Sequence, residues 1–520
     1  MTTQQLRPGS GDSRRILMIT NVEWGEANVF LATSRALLEI DSDVEIHCAT
    51  FAGFEDQLIQ VWKDARLTNP RAKSIVYHQI KGLGTLRQNS TQIRTPDGII
   101  EQLLLPPSFR TPLSLLTSIR AIRDAMGIFI PYTGPQIVEI ISSLLDIIRE
   151  VDADLVVVDS LMTAGLTACH HLGVKYTCLS PNSIKMFAGR FQPWLADLWK
   201  FPAVFSGYPF PIPFHLIPLN IFLKLCTAFY WYTDRRRRQV SDHVEAQIGV
   251  TLCTPVNLIR GNDHGIKILV SSHAQIDYPL TIPPYVYPCG PIVRSAPPLA
   301  GAAPGLADWL ARGPTMYINM GSIFTFPSGQ AVELARALRI TFDAIDKHSK
   351  AANLQVLWKW KRSQRPDDKE AESPVFEVLG RQIGKDRVRI VDWLPVEPIS
   401  ILQSGHVACA VHHGGANSYN ESIVAGVPQI ILPQWTDCYD YSQLVELHGI
   451  GLIGSKTTNP LWVAEELSHH LTTVLQGKAA RAMQTRAQQL ARICEEHGNG
   501  AMNAARTLLG DLEGLKSKPR

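Results

Sequence analysis

The sequence predicts an α/β protein of two domains, each built from strands that alternate with helices, and three observations predict it. A chain of 520 residues exceeds what one core usually accommodates, so two domains of roughly 200 residues or more are expected. Ile16 to Thr20, Asn28 to Ile40 and Val44 to Cys48 read as strand, helix and strand at the spacing of a parallel βαβ unit. A second such unit opens at Met316 to Met320, after the stretch Ala296 to Pro304, APPLAGAAP, which has the composition of a linker.

Composition narrows the class. With 45% hydrophobic and 19% charged residues the chain is globular, and a net charge of +3 is too small to point to nucleic acid. The 9 cysteines show no CxxC and no paired spacing, so neither a disulfide framework nor a zinc site is signalled. Ile16 to Ile19 is too short for a signal peptide, and a cytoplasmic location is expected. The sequon Asn89-Ser90-Thr91 should then stay unmodified. No GxGxxG joins the first strand to its helix, which argues against a nicotinamide or flavin dinucleotide.

In chain order, residues 1–13 are polar and read as a loose tail. The first domain is assigned to 14–295. Within it the pattern loosens from Phe51 to Tyr132 into Pro, Gly and polar clusters between short helical pieces, as loops over a pocket do. Ile137 to Ile148 is an amphipathic helix, Leu155 to Val158 a strand ending at Asp159, and Tyr176 to Leu179 a strand ending at Ser180. Ile268 to Ser271 and Val286 to Gly290 close this sheet. The most apolar tract, Phe201 to Tyr232, holds five prolines, at 202, 209, 211, 213 and 218, that forbid one continuous helix. From Leu216 to Tyr232 it falls short of the roughly 20 residues that span a bilayer. Followed by Arg235 to Arg238, it either walls a pocket or lies on an anionic membrane surface.

A linker at 296–304 leads to a second domain, 305–490, with strands at Gln355 to Trp358 and Val388 to Val391 and a helix at Ala331 to Arg339. Its most informative stretch runs from Val391 to Gln443. The apolar strand Val407 to Val411 leads into His412, His413, Gly414 and Gly415, and a helix opens at Asn417. Glycines let a backbone approach a bulky anion, and the free N–H groups and dipole of a helix start favour a phosphate there. Asn417 and Glu421 share one helical face beside it, and a carboxylate so positioned suits a ribose diol. A second run, Gln429 to Leu432, delivers Trp435, Thr436 and Asp437 to the same rim. Each residue also has a plainer reading: Trp393 as core, His412 and His413 as satisfied loop histidines, Glu421 as a solvated helix face, Asp437 and Asp440 as turn brackets.

This block resembles the donor-binding signature of the UDP-dependent glycosyltransferases of family 1, in a fungal flavour. The resemblance implies the GT-B architecture, two Rossmann-like domains facing a central cleft, with the acceptor in the first domain and the UDP-sugar in the second. It also implies that a C-terminal helix, assigned to 491–520, crosses back onto the first domain. Trp393 matches the Trp that stacks on uracil, and His413 and the Gly321-Ser322 turn match contacts near the diphosphate. Gly415, Asn417 and Ser418 match the glycine and the Asn-Ser pair at the helix start. Glu421 matches the ribose-binding Glu, and Asp437 the acid that holds the sugar hydroxyls.

Three positions depart from the pattern: the Gln after that acid is Cys438, the Gln after the Trp is Val396, and the general-base His of the first turn is Glu26. Asp159 matches the acid that orients the base, and its charge beside Glu26 would raise one of the two pKa values toward a usable range. Glu26 also reads as an ordinary helix N-terminal acid, and His78 as a substitute base or a strand end. Ser180 matches a hydroxyl residue that faces the donor sugar.

The implied activity is inverting transfer of a hexose, glucose foremost, to a hydroxyl of a lipophilic small molecule, with no metal and no cofactor beyond the donor. The alternative is a non-catalytic UDP-sugar binder or partner subunit, prompted by Glu26 and Cys438. A metal-dependent transferase would use a DxD pair, Asp41 and Asp43 or Asp152 and Asp154, but both sit at turns, where Asp is common for backbone reasons.

Overall fold

Arg14–Ile19 forms strand β1, whose residues Ile16 to Ile19 are fully buried, as the middle of a parallel sheet covered on both faces requires. The structure, a computed structural model, describes residues 14–84, 91–94, 100–103, 106–260, 265–326, 328–348, 353–361 and 366–516. The expected tail 1–13 and the sequon residues Asn89 and Ser90 lie outside them.

The strands that follow are β2 (Val44–Thr50), β3 (Val76–Gln79), a separate hairpin of β4 (Thr91–Arg94) and β5 (Ile100–Leu103), β6 (Leu155–Asp159), β7 (Tyr176–Ser180), β8 (Lys267–Val270) and β9 (Val286–Pro288). The second lobe adds β10 (Thr315–Asn319), β11 (Gln355–Lys359), β12 (Val388–Val391), β13 (Val407–His412), β14 (Gln429–Ile431) and β15 (Gly451–Ile453). They make two sheets, ordered β3-β2-β1-β6-β7-β8-β9 and β12-β11-β10-β13-β14-β15, with every pairing inside each sheet parallel. In each sheet the chain reverses its direction of winding next to the first strand, between β1 and β6 and between β10 and β13. Open α/β sheets collect ligands at such switch points.

Helix α1 (Trp24–Ile40) starts earlier than the sequence reading placed it, so Glu26 falls in its first turn. The segment after Phe51 is also more regular than expected. Helix α2 (Glu55–Thr68) packs Leu58, Val61 and Ala65 inward, and α3 (Leu115–Ala125) carries a Ser114–Thr117 capping box. Charged residues between the apolar positions of α2 had masked its period. The apolar tract resolves into α4 (Ile217–Thr233) and α5 (Arg235–Ile248), which meet at Asp234.

Between the lobes, residues 296–304 hold one helical turn, Leu299–Ala302, with Leu299 buried against Trp309 and Leu310 of the second lobe. Ser400 Oγ donates to the Pro297 carbonyl at 2.8 Å, which ties this segment down. Helix α6 (Ala416–Val424) joins the lobes from the other side. Tyr419 Oη donates to the Ile276 carbonyl at 2.7 Å and Asn420 Nδ2 to that of Ser271 at 2.9 Å. Around these bonds Phe201, Ile276 and Tyr278 of the first lobe share one core with Tyr419, Ile423, Tyr441 and Leu490 of the second.

Helix α7 (Gly477–His497) runs through the expected boundary at 490, and the chain crosses over at Gly498. Helix α8 (Gly500–Lys516) then lays Ala501, Ala504, Ala505, Leu508 and Leu512 into the core of the first lobe beside α1. Gly500 is required there, because a Cβ would collide with the Pro291 carbonyl. Since α8 is the last element made but completes the first domain's core, Leu508→Ala should lower the unfolding free energy by about 2–5 kcal/mol. Thermal unfolding should show the loss as one transition shared by both lobes, because α6 and the common core couple them.

Candidate active site

The two switch points face each other across a cleft of about 1630 Å³, larger than the roughly 300–1,000 Å³ usual for one small ligand. Glu26, Ser322, Trp393, His413, Gly415, Asn417, Ser418, Glu421 and Asp437 all line it. Asp159 does not. It is fully buried behind Glu26 at the end of β6, and the β1–β6 pairing is what brings the two together.

At the first-lobe switch point, Asn21 Nδ2 donates to Glu26 Oε2 at 2.8 Å, and Asp159 Oδ1 accepts from the Leu161 N–H at 2.9 Å. Burial first, and then the charge of Asp159, hold the Glu26 carboxyl well above the usual carboxylate range. Burial pushes Asp159 up to about 6. The pair therefore holds protons more tightly than ordinary carboxylates do, with burial the first cause for both. Glu26 is no solvated helix acid, since it faces the cleft with a partner behind it. His78 is ruled out as the base, because its Nε2 lies 2.9 Å from His47 Nδ1 and neither ring reaches the cleft. Ser180 is fully buried and its Oγ accepts from the Asn182 N–H, so it does not face the cleft.

Across the cleft the two histidines part company. His412 is satisfied as expected, though it ends β13 and is not in a loop: Nε2 meets Gln429 Oε1 at 2.8 Å and Nδ1 accepts from the Gly414 N–H. His413 lies against Trp435, ring centroids 4.9 Å apart, and its buried Nδ1 has no hydrogen-bond partner among the described residues. Burial pulls His413 down to about 3, so its ring is neutral. Glycines on both sides make room for it. A Cβ on Gly321, at φ +86°, would sit 2.8 Å from His413 Cε1, and one on Gly415 would collide with Nε2. A buried, orphaned ring nitrogen beside a helix start is a donor or acceptor awaiting a ligand.

The remaining positions divide between cleft and scaffold. Asn417 lines the cleft, yet its Nδ2 donates to the Trp24 carbonyl at 2.9 Å and so bridges the lobes beside Glu26. Asp437 accepts from Thr436 Oγ1 at 3.1 Å, and burial raises it to about 6. Cys438, which takes the place of the family Gln, is fully buried and absent from the cleft wall, whereas Val396 lines it. Asp440 pairs with Lys185 of the other lobe. Trp393 is 60% exposed, far from a core residue.

Two charged contacts were not anticipated. Lys359, at the end of β11, holds its ammonium 4.1 Å from the Trp393 ring centroid, and Arg294 pairs with Glu397 at 3.0 Å. Burial lowers the Lys359 pKa, while the charges of Glu397 and Glu421 oppose that. Burial and then Glu397 push Glu421 up to about 8. The only sequence signal for Lys359 was its position at a strand end on the ligand rim. The two Asp-x-Asp pairs are turn residues: Asp41 pairs with Arg14 and Asp154 accepts from the Arg15 N–H, and neither pair reaches the cleft.

Comparison with known proteins agrees with this geometry. The family Erythromycin biosynthesis protein CIII-like, C-terminal domain, matches residues 381–496. The chain is 31% identical over 473 residues to the glycosyltransferase sdnJ of Sordaria araneosa, covering 89% of this chain and 88% of that protein. It is 30% identical to UDP-glycosyltransferase 84B1 of Arabidopsis thaliana over 36% of this chain and 38% of the relative. Among solved structures, an indoxyl-glucosylating UDP-glucosyltransferase from Polygonum tinctorium superposes with a TM-score of 0.60 at 17% identity, over 97% of this chain and 99% of its own. Phytolacca americana UGT2 gives 0.59 at 17% identity, over 96% and 100%.

Gly415→Ala tests the cradle directly. It should displace His413 and weaken UDP binding roughly tenfold or more while leaving the unfolding midpoint nearly unchanged, as titration calorimetry and thermal melts would record.

Proposed function

The chain belongs to the family 1 UDP-glycosyltransferases of GT-B architecture, and from that membership we propose that it moves a hexose, glucose foremost, from a UDP-sugar to a hydroxyl of a lipophilic small molecule of phenol, polyketide, terpenoid or sterol type. The observation that carries the reading is convergence: Trp393 after β12, His413 after β13, Glu421 on the helix that follows it and Asp437 after β14 face Glu26 across one cleft. Beyond Glu26 the first-lobe wall carries Met126, Phe129, Val204, Phe205 and Trp231 between charged residues such as Lys185 and Lys224, and its apolar part suits a lipophilic acceptor. Cytoplasmic location belongs to the same reading.

In this proposal uracil lies against Trp393, the ribose diol meets Glu421, and the diphosphate meets His413, Ser322 and the start of α6 near Gly415 and Ser418. The acceptor oxygen attacks the anomeric carbon from the face opposite UDP, and the bond to the diphosphate oxygen breaks with inversion. The acceptor proton passes to Glu26 as the proton of Glu26 moves to Asp159. A carboxyl pair that takes up this proton near pH 6 is as strong a base as an imidazole, whose ordinary pKa is about 6.5. Glu26 with Asp159 thus does what the family His does.

The leaving diphosphate brings negative charge into a site that already holds Glu26, Asp437, Glu421 and Glu397, and His413 is neutral. Among the described lining residues, Lys185 is paired with Asp440 and Lys224 with Asp197, Arg260 lies over Tyr232, and Arg190 stands on the first-lobe wall. Lys359, beside Trp393, is the cation left at the donor end, and with the α6 dipole it meets the charge without a metal.

UDP-glucose offered with a panel of phenols, sterols and polyketides should yield a hexosyl product by mass spectrometry, insensitive to chelator. UDP binding with no sugar consumed would defeat the proposal. Glu26→Gln should reduce turnover roughly tenfold or more and raise the unfolding midpoint, since it removes a carboxyl whose ionised form burial penalises in the folded state, while Glu26→His should retain turnover. In the unaltered enzyme kcat/KM should rise with pH through about 6, the value of Asp159, as the doubly protonated pair loses a proton. Lys359→Met should weaken UDP binding by about 1–2 kcal/mol, roughly tenfold, and flatten its salt dependence.

A further inference from the structure

Helix α4 turns only Asn220, Leu223 and Trp231 fully inward, and Leu223 and Trp231 pack there with Phe109 and Phe205. Its opposite side carries Leu219, Phe222, Leu225, Phe229 and Tyr232, all exposed, Phe229 by 61% and Leu225 by 58%. Their three- and four-residue spacing holds them on one stripe. The segment 194–199 lies alongside, tied to α4 by Lys224–Asp197 at 2.6 Å and by Asn220 Nδ2 to the Leu198 carbonyl at 2.8 Å. It adds Trp194, exposed by 91%, and at the start of α4 Phe214 is exposed by 90%. Soluble surfaces scatter such residues singly and do not gather them.

Two features say what covers this face. At the far end of the stripe α5 opens with Arg235, Arg236 and Arg238 exposed, while Arg237 is held over Trp231. A cationic cluster beside apolar and Trp/Tyr side chains matches the headgroup layer of an anionic bilayer, whereas a surface for a second copy has no need of it. The stripe also runs into the cleft, since Ala228 and Tyr232 of α4 and the exposed Val204 line the cavity wall. By length and apolar content Phe214–Ile248 would pass for a membrane span. Its inward residues belong to the protein core, however, and α4 alone, at about 1.5 Å per residue, falls short of the roughly 30 Å hydrocarbon layer. The helix lies along a membrane, not across it.

We propose that this face docks on an anionic lipid bilayer, with α4 in the interfacial plane, the arginines on lipid phosphates and the cleft mouth turned toward the acyl chains, so that the acceptor enters from lipid. The route of entry rests on the proposed transfer to a lipophilic acceptor, but the docking does not, and the test separates them. The full chain should sediment with vesicles of phosphatidylcholine containing phosphatidylserine and remain soluble with phosphatidylcholine alone. The triple variant Phe222→Ser/Leu225→Ser/Phe229→Ser, outside the cleft wall, should lose roughly tenfold or more in vesicle affinity and keep its activity on a water-soluble phenol. Arg235→Gln/Arg238→Gln should lose the preference for phosphatidylserine. Unaltered protein that stays in the supernatant with both vesicle types, or a triple variant that binds as tightly, would overturn the docking. So would a dimer in solution that the triple variant dissolves, which would assign the face to a second copy. Vesicle binding without any transfer would sink the function and leave the docking standing.

Discussion

Everything in this molecule depends on two parallel sheets presenting their switch points to each other at a fixed separation, and helix α6 sets that separation. Its inner face is bonded to the first lobe through Tyr419 and Asn420, and at its first turn Asn417 reaches the Trp24 carbonyl. The same first turn offers free N–H groups to an anion. One helix of 9 residues therefore binds the donor end of the cleft and fixes its distance from the first turn of α1, where Glu26 stands. Such coupling between scaffold and site explains why Asn417, which resembles a purely ligand-binding residue in the sequence, proves to bridge the lobes as well.

The second constraint is charge. Glu26, Asp159, Glu421 and Asp437 are all held above the ordinary carboxylate range, with burial the first cause in each. A carboxyl whose folded value exceeds its unfolded one adds stability below its unfolded value, about 4, and loses it as pH rises through the folded value. For Asp159 and Asp437 that loss is complete a little above pH 6. At neutral pH the site is thus a strained region of an otherwise well-packed fold, as sites that do chemistry often are. It also accounts for a glutamate where an imidazole is usual, because crowding two carboxyls at one strand end produces the proton affinity that a single exposed carboxyl lacks.

How much of this the sequence carried depends on the kind of order involved. The donor block was legible because strand ends, glycines and helix starts follow one another within about fifty residues, so local spacing encodes the geometry. The partnership of Glu26 with Asp159 was legible only through resemblance, since the β1–β6 pairing that creates it joins distant parts of the chain. Lys359 went unnoticed because a lysine after an apolar strand reads as a solvated end, and only the fold shows Trp393 beside it. The length of helix α2 was underestimated because charged and polar residues interrupt its apolar positions, and Ser180 was misread because a strand-end serine can point either into the cleft or into the core.

The two ends of the cleft differ in legibility for a further reason. A nucleotide offers many polar atoms, and recognising it takes groups fixed to within fractions of an ångström, which strand ends and helix starts supply. A lipophilic acceptor asks mainly for apolar area, and area can be assembled from short pieces such as the helical turn and its cap at Met126–Phe129 and the loop at Val204–Phe205 without any shared spacing. Only one polar group must be exact on that side, the one that takes the proton, and it is the one mounted on regular structure, at the join of β1 and α1 with a second strand end behind it. The acceptor's body can therefore vary with the loops while the point of proton transfer stays where the sheet puts it.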